Sequence, residues 1–321
     1  MRADLDGAVV LLYHGVTDAP SVGIENFSGK HMAADEFARQ MAWIAANARP
    51  MRFAEMASRL AAGESLPPRS VAVTFDDSYA NKADVALPIL KRHGVPATFF
   101  ITTGFVGTGR LFWTDKLEHC INATDAVEVS IDLDGDMRDF PLTEPAERIE
   151  AVNAIKGVMK SVPPATRDRI LVDLHAATGV GADGVDVANY RQLDWDGVRA
   201  LDDGVAYDVG GHSVSHEVLA NLDARALDRE IDGCLADLAR ELGHPVTLFS
   251  YPEGQQQHYN DQVIDALKAR GVTVCPSAIA GVNRPGADPF HLRRVMVGFM
   301  GAPFPFPDYD AQGVENDPEL Q

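Results

Sequence analysis

Between residues 71 and 102 the chain reads strand, helix, strand. Val71 to Phe75 is a β-branched, apolar run. Asn81 to His93 carries a helical pattern that stops at Gly94, with Pro96 beyond it, and Ala97 to Thr102 is a second apolar run. Two strands joined through a helix run parallel, because a crossover of that length returns the chain to the same end of the sheet. Strands with so little polar alternation belong inside a sheet covered on both faces. The class is therefore α/β.

The same grammar recurs along the chain. Ala8 to Tyr13, Val205 to Gly211, Val246 to Tyr251, Val272 to Cys275 and Leu292 to Val297 read as strands. Asp35 to Asn47, Phe53 to Ala62, Leu222 to Leu242 and Asn260 to Arg270 read as helices, and Trp195 to Leu201 as a short helix N-capped by Asp194. Asp18 to Gly29 reads as a long loop. From about 104 to 190 the alternation lapses into helices at 111–122, 144–160 and 166–178 and a hairpin turning at Asp134-Gly135-Asp136, followed by a Gly/Asp-rich loop at 179–187. This stretch is expected to be an α-rich insertion in one domain covering 1–302. A Pro-rich, then acidic tail at 303–321 is expected to be loosely ordered.

With 321 residues, 46% hydrophobic, the chain can bury a core without staples. A net charge of −19 argues against a nucleic-acid partner and against docking on anionic lipid. Three cysteines at long spacing, Cys120, Cys234 and Cys275, read as free buried thiols of a reducing compartment. No signal peptide and no apolar run of about 18–20 residues is visible, so a cytoplasmic protein that does not insert into membranes is expected. Oligomeric state leaves no trace in the sequence.

Chemistry gathers just past the strands. Asp76-Asp77 ends the run from Val71; two adjacent carboxylates would repel and resist burial unless a cation sits beside them, one holding the metal and the other taking a proton from water. Alone, the pair reads equally well as an Asx turn capping the next helix. His212 and His216, four apart after a strand, can face one point and with Asp77 make a His-His-carboxylate set, or else serve as one capping and one surface histidine. Phe249 to Gly254 holds a Pro-x-Gly turn whose backbone N–H groups, near Tyr251, can face an oxyanion. His14 ends the first strand and suits a general acid; His291, its competitor, precedes a strand. Arg294 can orient a carboxylate bidentately. The C-terminal ends of strands are where α/β folds build sites.

Thr74-Phe75-Asp76-Asp77-Ser78 with His212-Ser213-Val214-Ser215-His216 resembles the polysaccharide deacetylases, the NodB-homology domains of carbohydrate esterase family 4, whose motifs are Thr-Phe-Asp-Asp-Gly and His-Ser/Thr-x-x-His. Phe249 to Gly254 resembles their third motif, and residues 96–100 and Trp195 to Leu201 also fit. The resemblance runs from about Val9 to Val297. It implies a distorted (β/α) barrel and one divalent metal, usually zinc, with cobalt, nickel or manganese as alternatives. By position it makes Asp76 the base and Asp77, His212 and His216 the ligands, and places Pro252, Glu253 and Trp195 on the sugar. The family's closing Leu-x-His motif, which supplies the acid, has its form at Leu12-Tyr13-His14, as in a permuted branch acting on exopolysaccharides. Ser78 replaces a glycine, Glu253 replaces an aromatic, and the third motif lacks the arginine that orients the base, a place Arg294 is expected to fill. The expected activity is removal of N-acetyl groups from amino sugars of a polysaccharide or oligosaccharide. The rivals are an amidase on a small non-sugar amide or cyclic imide, an iron(II) oxygenase, and a non-catalytic sugar-binding relic.

Overall fold

The structure, a computed structural model, describes residues 7–181 and 185–309. The expected loop at 179–187 and tail at 303–321 fall partly outside the described residues, as does the N-terminal stretch read for a leader.

The chain opens with β1 (Val9–Tyr13), β2 (Gly15–Thr17), β3 (His31–Ala33), α1 (Ala34–Asn47), β4 (Arg49–Pro50), α2 (Phe53–Ala61) and β5 (Ser70–Phe75). A π-helical turn, Lys82–Ala86, runs into α3 (Leu87–His93), and β6 (Ala97–Ile101) follows. Then come α4 (Trp113–Ala123), the hairpin β7 (Glu128–Asp132) and β8 (Met137–Pro141), α5 (Pro145–Met159) and α6 (Pro164–Thr178). The chain continues through α7 (Trp195–Ala200), β9 (Tyr207–Gly211), α8 (Ala224–Leu242), α9 (Asp261–Ala269) and β10 (Val295–Met296). It divides into two compact units, one of residues 1–18, 28–108 and 192–321, the other of 19–27 and 109–191.

In the first unit the strands run parallel in the order β10-β1-β5-β6-β9, with β4 also on β5. Past β9 the wall continues through single bridges, Gly211 to Phe249 and Leu248 to Val274. Ser277 N–H then bonds the Leu292 carbonyl (2.8 Å), and the chain returns to β1 through β10. The result is an α/β, distorted (β/α) barrel. The expected strands at 246–251, 272–275 and 292–297 are thus mostly irregular backbone. Prolines 245, 252, 276 and 289 lack the N–H that a continuous ladder requires.

Both strand faces are buried, which is why the strands read as unbroken apolar runs. One face packs Val9, Leu11, Val73, Phe75 and Phe99 against Phe37, Met41, Leu90, Ile231 and Leu238 from the covering helices. The other gathers Val10, Ala72, Phe100, Leu248, Val274 and Leu292 with Phe53, Met56 and Leu60 of α2. The expected helix 81–93 opens as a π-helical turn because Pro88 has no N–H to continue α-helical bonding. It ends where Gly94 takes a left-handed φ of 65°. Phe304, Phe306 and Tyr309 pack around Trp43 with ring centroids 4.7–6.4 Å away, so the described start of the expected loose tail is anchored.

The second unit has its own core, in which Leu117, Ile121, Val129, Ile131, Ile155 and Leu174 meet. Its hairpin is antiparallel, with Val129 opposite Phe140. Residues 19–27, read in the sequence as loop, join this unit; the Ile24 N–H bonds Asn122 Oδ1 at 2.8 Å. No described helix is long and apolar enough to cross a membrane.

Gly210 lets the bridging segment approach β9. A Cβ there would lie 2.6 Å from the Phe100 ring and 3.0 Å from the Leu248 carbonyl oxygen. Gly210→Ala is expected to destabilise the protein by about 1–3 kcal/mol, as overpacking does, read as a lower denaturant midpoint at unchanged slope. An unchanged midpoint would mean the wall is looser than described.

Candidate active site

Tyr13, Phe75 and Phe99 lie in register, so His14 and Asp76 leave the sheet at the same level. The Asp76 N–H bonds the Tyr13 carbonyl at 3.0 Å, and Thr74 Oγ1 donates to the Leu11 carbonyl at 2.7 Å, which ties the ends of β1 and β5. The chain then turns sharply, with φ 75° at Asp77. Ser78, at the family's glycine position, is not strained; its hydroxyl bonds Gln192 Oε1 at 2.8 Å, and the positive φ sits one residue earlier.

Asp77, His212 and His216 converge, each offering a ligand atom within 4.8 Å of the others. The His216 Nε2 lies 3.4 Å and the His212 Nε2 3.9 Å from Asp77 Oδ1. His212 Nδ1 is 2.8 Å from the Ser250 carbonyl, which can only accept. That nitrogen therefore carries the proton, and the Nε2 lone pair faces the group. Burial lowers the His212 pKa to about 4, so the imidazole is neutral, the form that binds a metal. Burial alone would raise Asp77, but His216, His14, His212 and Lys82 outweigh it and hold the carboxyl below its usual range. Two imidazoles and a carboxylate, one imidazole fixed from behind, fit a divalent ion that keeps positions open.

The loop bearing the histidines is held from α8. Glu230 accepts from the N–H groups of Val214 (2.9 Å) and Ser215 (2.8 Å) and from the Ser215 hydroxyl (2.6 Å). Ser213 and His216 both have positive φ, 63° and 61°. With Asp77 and Glu253 (60°), four non-glycine residues in the three motif loops are in this conformation, which costs about 1–3 kcal/mol each and tends to mark functional loops.

Asp76 faces Arg294, which is 0% exposed. The guanidinium gives one hydrogen bond to each carboxylate oxygen, both 2.7 Å, and others to the Ser277 carbonyl (2.8 Å) and Ser250 Oγ (2.9 Å). Burial would raise Asp76; the Arg294 charge outweighs it, with His212 and the Arg294 hydrogen bonds adding to the effect, and the pKa falls. Ser250 is fully buried beside the guanidinium, and its hydroxyl oxygen accepts one of the Arg294 hydrogen bonds.

His14 is half-buried, its ring 5.1 Å from that of Phe299, and its Nδ1 has no hydrogen-bond partner among the described residues. Burial lowers its pKa to about 4 against the pull of Asp77 and Asp76, so it is neutral at pH 7. The structure does not bring the Tyr251 side chain to this group: its phenol bonds the Phe290 carbonyl at 3.2 Å and stacks on Tyr259. Pro252 is buried beside the turn, and Glu253 is half-buried. Trp195 opens α7 and packs on the main core. His291 pairs with Asp288 and is largely exposed.

Sequence reasoning missed Lys82, Ser250 and Glu230. Lys82 is 0% exposed, and its Nζ donates to the carbonyls of Asp76 and Asp77, the latter at 2.6 Å. Burial brings its pKa down to about 7 against the pull of Asp77 and Asp76. A lysine and a glutamate on helices read as solvated positions. Nothing in the sequence singled out Ser250.

A family model described as polysaccharide deacetylase matches residues 63–131 and 171–275, more than half of the chain. No curated protein matches the sequence. Among solved structures, the fold is similar to the Streptococcus pyogenes deacetylase PplD in complex with acetate, at 15% identity over 96% of each chain with a TM-score of 0.59. It is also similar to IcaB from Ammonifex degensii, at 21% identity over 91% of this chain and 92% of that one, TM-score 0.56. The de-N-acetylase from Aggregatibacter actinomycetemcomitans gives 17% identity over 93% of this chain and 97% of that one, TM-score 0.56. At these identities the likeness is one of fold.

Removing one partner of a buried ion pair strands the other. Arg294→Met is expected to destabilise the fold by about 3–5 kcal/mol in denaturant unfolding. Combined with Asp76→Asn, it should cost clearly less than the sum of the single changes. Additive losses would contradict a direct pair.

Proposed function

We propose that this chain, which belongs to the polysaccharide deacetylase family, removes N-acetyl groups from amino sugars using one divalent metal ion held by Asp77, His212 and His216. The family consists of hydrolases that cleave the amide C–N bond of acetylated sugars. The observation that carries the reading is the convergence of those three ligands beside a second carboxylate, Asp76, gripped at both oxygens by Arg294. Bound there, the ion would make a water acidic enough to ionise near neutral pH and would polarise the acetyl carbonyl. Zinc suits two imidazoles and a carboxylate, and cobalt, nickel and manganese accept the same donors.

The protein's own groups then manage protons. Asp76 takes a proton from the attacking water, and Arg294 keeps the carboxylate ionised and aimed until it does so. The new C–O bond forms, the C–N bond breaks, and the amine departs only if its nitrogen gains a proton. His14, beside the Asp76–Asp77 turn, is the group we assign to deliver it. Because His14 rests neutral, the proton it delivers is the one the water gave up to Asp76, passed on before the C–N bond breaks, which returns Asp76 to its carboxylate. Pro252 and Glu253 border the sugar; the Glu253 carboxylate disfavours anionic sugars and suits a product bearing a freed amine.

Acetate release should be measured across acetylated chito-oligosaccharides and small cyclic imides, with and without chelator. The expectation is chelator-sensitive release from the sugars and none of the imide activity; the reverse pattern would replace this reading with the amidase. Asp76→Asn should fold, bind metal and lose about 10²–10⁴ in rate. Near-native turnover would remove Asp76 as the base.

His14→Gln should retain metal and melting temperature and lose turnover on an acetamide sugar, with less loss on an ester whose alcohol leaves unaided. Equal loss on both substrates, or loss of metal, would remove His14 as the acid.

A further inference from the structure

Lys82 has no part in the chemistry above, yet it is fully buried directly behind it. It is the first residue of the π-helical turn Lys82–Ala86, and such turns recur at functional sites. The side chain runs back under the preceding turn, and its Nζ donates to the carbonyl oxygens of both Asp76 and Asp77. No other donor among the described residues reaches either carbonyl. The backbone between them is the strained one, with Asp77 at φ 75°. Without a donor, both carbonyls would stand unpaired in a buried turn, and the turn could relax to satisfy them.

We propose that Lys82 is a positioning residue: by tying both carbonyls it locks the turn, so that Asp77 is aimed at the two histidines and Asp76 at Arg294. The proposal rests on the reading of Asp77 as metal ligand and Asp76 as base. A side chain that merely fills the space would keep the protein folded and release the turn. A neutral donor would hold the turn in part. A lysine acting only through its charge would be replaced equally badly by both.

The test uses the full chain as wild type, Lys82→Met and Lys82→Gln, all checked for folding by melting temperature. Zinc affinity is read by competition with a chromophoric chelator, and kcat and KM on an acetylated chito-oligosaccharide. Lys82→Met should weaken zinc binding and lower kcat by about tenfold to a hundredfold, the usual effect of losing a group that orients a metal ligand. KM should stay within about threefold, since binding of the sugar is not what the lysine serves. Lys82→Gln should recover a substantial part of both losses. A Lys82→Met protein with wild-type zinc affinity and kcat overturns the proposal, as do equal losses in the two variants or failure of both to fold. Wild-type protein that binds no zinc overturns the functional reading and this proposal with it. Variants that bind as tightly as a zinc-binding wild type overturn the proposal alone.

Discussion

Two carboxylates side by side at the end of a buried strand are the condition the rest of the site answers. Neither can be ionised in a dry interior without compensation, and a single cation shared between them would leave their roles identical. The structure compensates them separately. Asp76 is paired at both oxygens with Arg294, while Asp77 faces two imidazoles. Lys82 takes the carbonyls between them. Neighbouring residues of the same type thus acquire different environments, which is how one turn can offer both a metal ligand and a proton acceptor.

Strand parity explains the separation. Ala72 lies on the face that lines the inner core, and Thr74 and Asp76 continue that face, as Arg294 continues the face of Leu292. Asp77, one residue on, leaves by the left-handed turn and points elsewhere. The loops carrying the candidate ligands are strained and are braced from neighbouring elements, by Glu230 behind the histidines and by Ser250 beside Arg294. Such bracing is the support that a geometry at this scale requires.

Much of this was legible in residue order. The parallel α/β class followed from strand–helix–strand spacing around the Asp pair, and the observed strands β1, β5, β6 and β9 lie where apolar runs stood. Arg294 was legible through the family resemblance: the third motif lacks the arginine usual there, Arg294 was the expected substitute, and the structure pairs it with Asp76. The second half of the wall was less legible, because its prolines leave apolar runs that pair through single bridges. Lys82 and Glu230 were invisible because their roles depend on which way a helix is turned. Lys82 opens a π-helical turn with its side chain fully buried, and nothing local in the sequence marks it as buried. The resting state of His14 was also beyond sequence, since its placement suggested a ready acid while burial leaves it neutral.

The central claim, that Asp77, His212 and His216 form one metal site, is tested most directly by titrating metal-free protein with zinc and counting bound ions by elemental analysis. The account predicts one ion per chain in the wild type and loss of that ion in His212→Ala at the same zinc concentration, the fold being retained. Full, equally tight occupancy in His212→Ala would contradict it.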